Sequence, residues 1–337
     1  MTEPVTVGVI ANPLSGRDVR RVAARGGVTT SQDKRNRIAR AVVGAVTGGA
    51  ERIVVMAEPF RIATGAIADL HLDCEYEVLD IQPNLSPHDS EKAALAMREM
   101  SVETVIVLGG DGTNRTITKV WPDVTLAPMS TGTNNVFPSM AEATVIGAAA
   151  GLVASGQIDR ERVAPQVKVV RATTGKGDDL ALIDAAHLVD DFVGNRMPYE
   201  PDTIRTIVMS RAEPASIGVS SIGGLTMPCS SEADHGVLVR CGPGGRPLRA
   251  PVAPGLYRTV HVLESRELPI GEIVEIPGPG IIAYDGDRET RLGEGDVTLT
   301  VRRDGPCVID VEQAMAIAAT EELFMTSDAA AGDAALM

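Results

Sequence analysis

The residues whose types and spacing could do chemistry are concentrated in Gly109-Gly110-Asp111-Gly112-Thr113-Asn114. One carboxylate stands among three glycines that fall within four positions. Glycine reaches φ > 0 and lets a backbone approach a ligand with no Cβ in the way. The preceding Val105–Leu108 run is apolar and mostly β-branched, as expected of a strand buried on both faces of a parallel sheet. The Thr113-Asn114 end leads into a predicted helix, Thr116–Val120, whose free N–H groups and positive dipole end suit an anion. A carboxylate beside such an anion site is unfavourable unless it holds Mg2+ or takes a proton from an attacking hydroxyl. The plain alternative is an ordinary glycine-rich turn between a strand and a helix.

Two other polar turns follow predicted strands. Val5–Ala11 leads to Asn12-Pro13-Leu14-Ser15-Gly16-Arg17, with Arg20 and Arg21 adding positive charge. Thr125–Met129 leads to Ser130-Thr131-Gly132-Thr133-Asn134-Asn135. Each is composed of turn formers and could be no more than a turn. Three such loops, each at the end of a strand, make coincidence much less plausible.

The elements that must position these loops alternate regularly. Strands are predicted at Val5–Ala11, Arg52–Ala57, Glu75–Ile81, Thr104–Leu108 and Thr125–Met129. Helices are predicted at Gln32–Val46 with Ser31 as cap, at Arg61–Leu70, from Ser86-Pro87 onward, and at Glu142–Ser155. Such alternation implies an α/β fold, a Rossmann-like parallel sheet covered on both faces. Ligands then bind at the carboxyl ends of the strands, where Asn12 and Asp111 would both sit. From Val167 to Arg303 the pattern changes to short alternating runs separated by Gly and Pro, with strands predicted at Gln166–Arg171, Leu180–His187, Ile204–Met209, Gly236–Cys241, Tyr257–Glu264, Glu272–Ile276, Ile281–Tyr284 and Val297–Val301, which reads as an all-β, sandwich-like domain. Val308–Phe324 turns helical again. The expected division is 1–160 with 306–326 as the α/β unit, 161–305 as the all-β unit, and 327–337 as a frayed tail.

Composition narrows the function. At 44% hydrophobic and 23% charged residues, the 337-residue chain reads as ordinary globular protein with ample core. A formal charge of −14 argues against general affinity for nucleic acid or an anionic membrane. Cys74, Cys229, Cys241 and Cys307 form no C-x-x-C pair and the histidines are scattered, so neither zinc nor a disulfide framework is indicated. No basic leader opens the chain, and Ala143–Ala154 is too short to span a bilayer. A cytoplasmic protein acting on a small molecule, assembled as a homo-oligomer (a dimer), is expected. No G-x-G-x-x-G follows the first strand, which disfavours a Rossmann dehydrogenase.

Gly109–Thr113 resembles the signature of the NAD kinase and diacylglycerol kinase superfamily. Asn12–Gly16 resembles the N-P-x-S-G phosphate loop of diacylglycerol and sphingosine kinases, and Thr131–Asn135 resembles the family's G-T-x-N-[DE] loop, with Asn135 where an acid is frequent. The resemblance implies ATP and Mg2+, phosphorylation of an alcohol, and Asp111 as base or metal organiser. It implies nucleotide or phosphate binding by Asn12, Ser15, Gly16, Arg17, Gly109, Gly110, Gly112, Thr113, Thr131, Gly132, Thr133, Asn134 and Asn135. It also implies that the last helix packs back on the first domain. Ala181-Leu182-Ile183-Asp184 resembles the dinucleotide-holding A-L-N-E segment, Ser220–Gly224 the end of a G-S-T-A-Y-S-x-S-A-G-G run, and Ile282–Gly286 a late A-x-D-G element. On that basis Asp184, Ser221 and Asp285 are substrate-binding candidates, although Asp285-Gly286 also fits a type I′ hairpin turn. Two departures count against NAD: Ile183 replaces an amide, and the tyrosine before Ser220 is missing.

The combination of Asn12–Arg17, Asp190–Arg196, Ser210–Pro214 and Asp285–Glu289 resembles the AcoX branch, the NAD-kinase-like proteins of acetoin catabolism operons, from about Val5 to Phe324. A small-molecule kinase is the leading expectation, with NAD a weak acceptor at most. A lipid kinase is a second and a non-catalytic nucleotide-binding sensor a third.

Overall fold

The structure is a computed structural model that describes residues 3–16, 29–132, 135–175, 177–293 and 297–325. Arg17, Arg20, Arg21, Thr133, Asn134 and the 327–337 tail lie outside the described residues.

The first half alternates β1 (Thr6–Ala11), α1 (Ser31–Thr47), β2 (Arg52–Val55), α2 (Ile62–Ile67), β3 (Glu75–Val78), α3 (Pro87–Glu99), β4 (Thr104–Gly109), α4 (Asp111–Val120) and β5 (Thr125–Ser130), then α5 (Ala143–Ala154) and the short α6 (Arg160–Val163). The strands pair in parallel in the order β3-β2-β1-β4-β5. β1, β4 and β5 are buried along their whole length, which is why they are continuously apolar rather than alternating. Val9, Val55, Ile106, Leu108 and Met129 form one face of the core with residues of α1, α2 and α5. Ile10, Val54, Val105 and Val107 form the other face with residues of α3 and α4. α1 and α5 approach so closely that a Cβ on Gly147 would lie 1.9 Å from the Ala41 carbonyl oxygen.

The second half holds two antiparallel sheets. One runs β11 (Leu256–Pro269), β10 (His235–Ala253), β9 (Ile204–Met209), β8 (Asp184–Leu188), β13 (Gly280–Tyr284), β14 (Asp287–Leu292); the other runs β12 (Ile273–Ile276), β15 (Val297–Arg302), β6 (Val169–Thr174), β7 (Gly177–Ala181). Val170, Leu299 and Val301 of the smaller sheet share a core with Ala185, Val208, Leu238 and Ile282 of the larger, so the two sheets pack as a sandwich. β16 (Cys307–Val308) then adds to the β5 edge, and α8 (Val311–Thr320) buries Val311, Ala314 and Ala318 in the first core. The last helix therefore returns to the α/β domain.

Several boundaries differ from expectation, for identifiable reasons. α4 begins at Asp111, five residues before the predicted Thr116, because Gly110 supplies an extended N-cap and tertiary packing outweighs the helix penalty of Gly112. Thr30, not Ser31, caps α1, in a reciprocal box with Asp33. The strand predicted over Leu180–His187 is broken, since the Leu182 and Ile183 amides turn to the Asp285 carboxylate. β10 and β11 run far beyond the predicted Gly236–Cys241 and Tyr257–Glu264, with irregular register around Cys241–Arg246. β14 and the short helix α7 (Ser220–Gly224) carry too little periodicity to be expected.

Candidate functional site

The strand order reverses between β1 and β4, and open α/β sheets bind ligands at such a reversal, outside the carboxyl ends of the strands. The loops following β1, β4 and β5 meet there. Asn12 donates from Nδ2 to the Thr113 hydroxyl at 2.9 Å, joining the first loop to the second. Thr29 donates to the Thr131 carbonyl at 2.7 Å, and a Cβ on Gly16 would lie 2.6 Å from that same oxygen, so the first and third loops are in contact. The third loop reaches the second through Asp111, whose carboxylate accepts the amides of Phe137 at 2.9 Å and Val136 at 3.2 Å. Arg211 supports that arm from the β sandwich, donating to the Val136 carbonyl and lying over the Phe137 ring.

A cavity of about 620 Å³ opens above these loops. Asn12, Ser15, Gly16, Gly110, Asp111, Gly112, Thr113, Thr131, Gly132, Asn135, Asp184 and Asp285 all line it. Gly109 lies just behind, in β4, where a Cβ would meet the Thr113 side chain. Ser221 does not line the cavity: its hydroxyl donates to the Gly218 carbonyl at 2.7 Å, and the neighbouring Ser220 takes the lining position. Arg17, Thr133 and Asn134 fall outside the described residues.

The first loop is largely self-satisfied. Asn12 Oδ1 accepts the Leu14 and Ser15 amides at 2.9 and 3.2 Å, and the Ser15 hydroxyl donates to the Asn12 carbonyl at 2.8 Å. Fully buried Lys34 donates to the Asn12 and Pro13 carbonyls at 2.9 and 2.8 Å, fixing the loop from beneath. The polar atoms left over are elsewhere. Asp184 Oδ1 and Thr131 Oγ1 are buried without a partner among the described residues, and both residues line the cavity. Buried polar atoms are nearly always paired, so these two are places where a ligand would complete the bonding.

Asp285 raises the proton affinity of Asp111, and Asp285 and Asp111 together raise that of Asp184. Burial pushes Asp111 up to about 7, with the charge of Asp285 adding to it, while the Phe137 and Val136 amides and Arg211 pull the other way. Asp184 is pushed well above the usual carboxylate range by burial and by both neighbours. Asp285 is raised chiefly by burial, although Arg115 and three amides favour its charge. Those amides belong to Leu182, Ile183 and Asp184, at 2.8, 2.7 and 3.2 Å. Asp285 and Gly286 have φ of 49° and 90°, the two left-handed residues of a type I′ turn joining β13 to β14. The turn thus aims one carboxylate at the backbone that presents Asp184. Ile183 belongs to the apolar cluster of Phe137, Trp121 and Val107, where an amide would have been a liability.

Other parts of the wall were not singled out beforehand as site residues. Asp89, Asp287, Glu289 and Arg196 line the cavity, together with the apolar Met197–Tyr199, Ile217–Val219 and Val252–Pro254. For Arg196, Asp287 and Glu289 the available signal was the pair of segments Asp190–Arg196 and Asp285–Glu289, distant in sequence and brought together here. Among the described residues no three acids, histidines or cysteines are clustered tightly enough to hold a metal by themselves.

Residues 7–158 match the ATP-NAD kinase N-terminal domain, and residues 167–304 match the acetoin catabolism protein X C-terminal domain. Acetoin catabolism protein X of Cupriavidus necator (strain H16) is 35% identical over 328 residues, 92% of this chain and 91% of that protein. A crystal structure of a candidate diacylglycerol kinase from Bacillus anthracis strain Sterne is also similar, at 13% identity and a TM-score of 0.43, covering 92% of this chain and 98% of the other. With a parallel-sheet NAD-kinase-like half, a sandwich half of the acetoin-catabolism type and identity sustained across both, the chain belongs to the acetoin catabolism protein X family, the AcoX branch of the NAD-kinase-like proteins.

Proposed function

We propose that the protein is an ATP-dependent kinase that phosphorylates a hydroxyl of a small soluble molecule. The observation that carries this reading is Asp111, at the first position of α4 on the cavity floor, with its proton affinity raised to about 7. A general base is most effective when its pKa lies near the working pH. Asp111 takes the proton of the acceptor hydroxyl as the acceptor oxygen bonds to the γ-phosphorus and the bond to the β-γ bridging oxygen breaks, releasing ADP. The Asp111 and Gly112 amides that open α4 suit the phosphates, the Thr113 amide already donating to the Gly110 carbonyl at 3.1 Å, and Gly16, Gly110, Gly112 and Gly132 keep the backbone accessible. Asn12, Ser15, Thr113 and Asn135 hold those loops in shape. Asp184, through its unpartnered oxygen, holds a second hydroxyl of the acceptor, with Asp285 fixing its backbone.

Mg2+ fits this donor set. It takes hard oxygen ligands and needs only one or two carboxylates when substrate phosphates supply the rest. Asp287, whose carboxylate lies beside Gly112, would hold it. The ion would supply the countercharge that nucleotide phosphates need in an acid-lined cavity.

The place of the Cupriavidus necator relative in acetoin catabolism puts small hydroxyketones and diols among the acceptors to assay first. NAD is expected to be a poor acceptor, because Ile183 is in the core rather than offering an amide to the cavity. The decisive experiment incubates purified protein with ATP, Mg2+ and each acceptor, NAD included, and follows acceptor-dependent ADP release. A nucleotide-binding regulator is the second reading, favoured by the inward commitment of Asn12 and Ser15. ATP binding without release of ADP to any acceptor would select it.

A further inference from the structure

We propose that Arg196 is an anion-binding residue of the cavity, and that the buried Arg288–Asp191 pair is the latch that holds it at the cavity wall. The cavity is lined by six carboxylates (Asp89, Asp111, Asp184, Asp285, Asp287 and Glu289) and, among the described residues, by a single cationic side chain, Arg196. That guanidinium is exposed and has no partner among the described residues. Its loop, by contrast, is thoroughly tied down. Arg288 donates to the Asn195 carbonyl at 3.1 Å and the Met197 carbonyl at 3.0 Å, the residues on either side of Arg196. The same guanidinium pairs with Asp191 at 2.8 Å, both side chains at most 6% exposed, and stacks on the Tyr199 ring at 4.2 Å. Asn195 donates to the other oxygen of Asp191 at 2.6 Å, and the Gly194 amide donates to the Arg288 carbonyl at 2.9 Å.

A buried ion pair contributes little net stability, because desolvation offsets most of the attraction. It does fix geometry. Here the geometry fixed is that of a loop whose exposed cationic group lines a cavity that is, among the described residues, otherwise acidic. A guanidinium presents a planar fork suited to phosphate oxygens and stays charged at any working pH. The anion we assign is a polyphosphate; its identity as that of ATP rests on the kinase reading above.

The test uses the full chain and two probes, inorganic tripolyphosphate alone and ATP with Mg2+, by calorimetry at several salt concentrations. Arg196→Ala should fold like the wild type and bind tripolyphosphate about ten- to hundred-fold more weakly, with a shallower salt dependence. Arg196→Lys should recover part of the loss, as a point charge without the fork. Asp191→Asn should weaken the same binding, yet add little in the Arg196→Ala background, since the latch acts only through Arg196. If Asp191→Asn does not fold, Asn195→Ala replaces it with the same expectation. Unchanged affinity and salt dependence in Arg196→Ala, or full additivity with the latch variant, would overturn the proposal. Tripolyphosphate binding that depends on Arg196 without ATP binding would leave it standing while removing the kinase reading. Binding of neither probe to the wild type would remove both.

Discussion

At the scale of single residues, Asp111 is pulled in opposite directions. The helix start and two amides favour its anion, whereas burial and Asp285 favour its proton. Asp111→Asn keeps an acceptor for the Val136 and Phe137 amides, so the fold should persist while phosphoryl transfer falls about 100- to 10,000-fold. Activity within a few-fold of wild type in a steady-state assay would remove Asp111 from the chemistry. In the wild type, kcat/KM should rise with pH through about 7 as Asp111 loses its proton. Stability should move the other way. The carboxyl binds its proton more tightly folded than unfolded, so the folded state carries more protons between about 3.9 and about 7. The associated stability is complete below the lower value and lost as pH rises through the upper. Melting temperatures from pH 5 to 8.5 should therefore fall for the wild type and fall less for Asp111→Asn; parallel curves would contradict the assignment.

At the scale of elements, the cavity depends on helices and loops that lie against one another's backbone. Gly147 is the clearest case, because α1 and α5 meet with no room for a side chain between them. Gly147→Val must force the helices apart and should cost about 3 kcal/mol or more, read from urea unfolding. Gly16 has φ of +70° and the Thr131 carbonyl beside it. Gly16→Val should cost about 1–3 kcal/mol in backbone strain and weaken nucleotide binding by displacing the first loop from the third. Unchanged ATP affinity in a folded Gly16→Val protein would reduce that loop to a simple turn.

At the scale of the whole molecule, the two halves are joined through a few buried polar groups around the site. Arg115 of α4, 3% exposed, donates to Glu289 at 2.6 Å, to Asp179 at 2.8 Å and to the Leu180 carbonyl, and lies over the Tyr284 ring. It ties the helix bearing Asp111 to both sheets of the sandwich. Arg115→Ala leaves Glu289 without its cation and Asp179 with Lys119 alone, at 3.2 Å, and should cost about 3 kcal/mol. Unfolding followed by tryptophan fluorescence, with Trp121 in the α/β half, and by amide exchange over β8 and β13 should then separate into two transitions. A single coincident transition would show that apolar contact alone couples the halves.

The α/β class, the parallel sheet and the change to a β sandwich were legible in the linear pattern, because buried strands are continuously apolar and half-buried ones alternate; the return of the last helix followed only from the family resemblance. The three glycine loops were legible too, since strand-end turns of that composition are local in sequence. Tertiary structure alone decided what depends on distant residues meeting. Asp285 breaks a predicted strand by taking its amides, Ile183 is a core residue rather than a missing ligand, and Ser221 yields its place at the wall to Ser220. Likewise Arg211 supports Asp111 through Val136, and Arg288 holds the carbonyls flanking Arg196. Local propensity carries no information about such pairs. The Asp285 and Arg288 bonds need the sandwich to fold, and the Arg211–Val136 bond and the burial of Ile183 need the sandwich to dock on the sheet, where residues far apart in sequence complete one cavity.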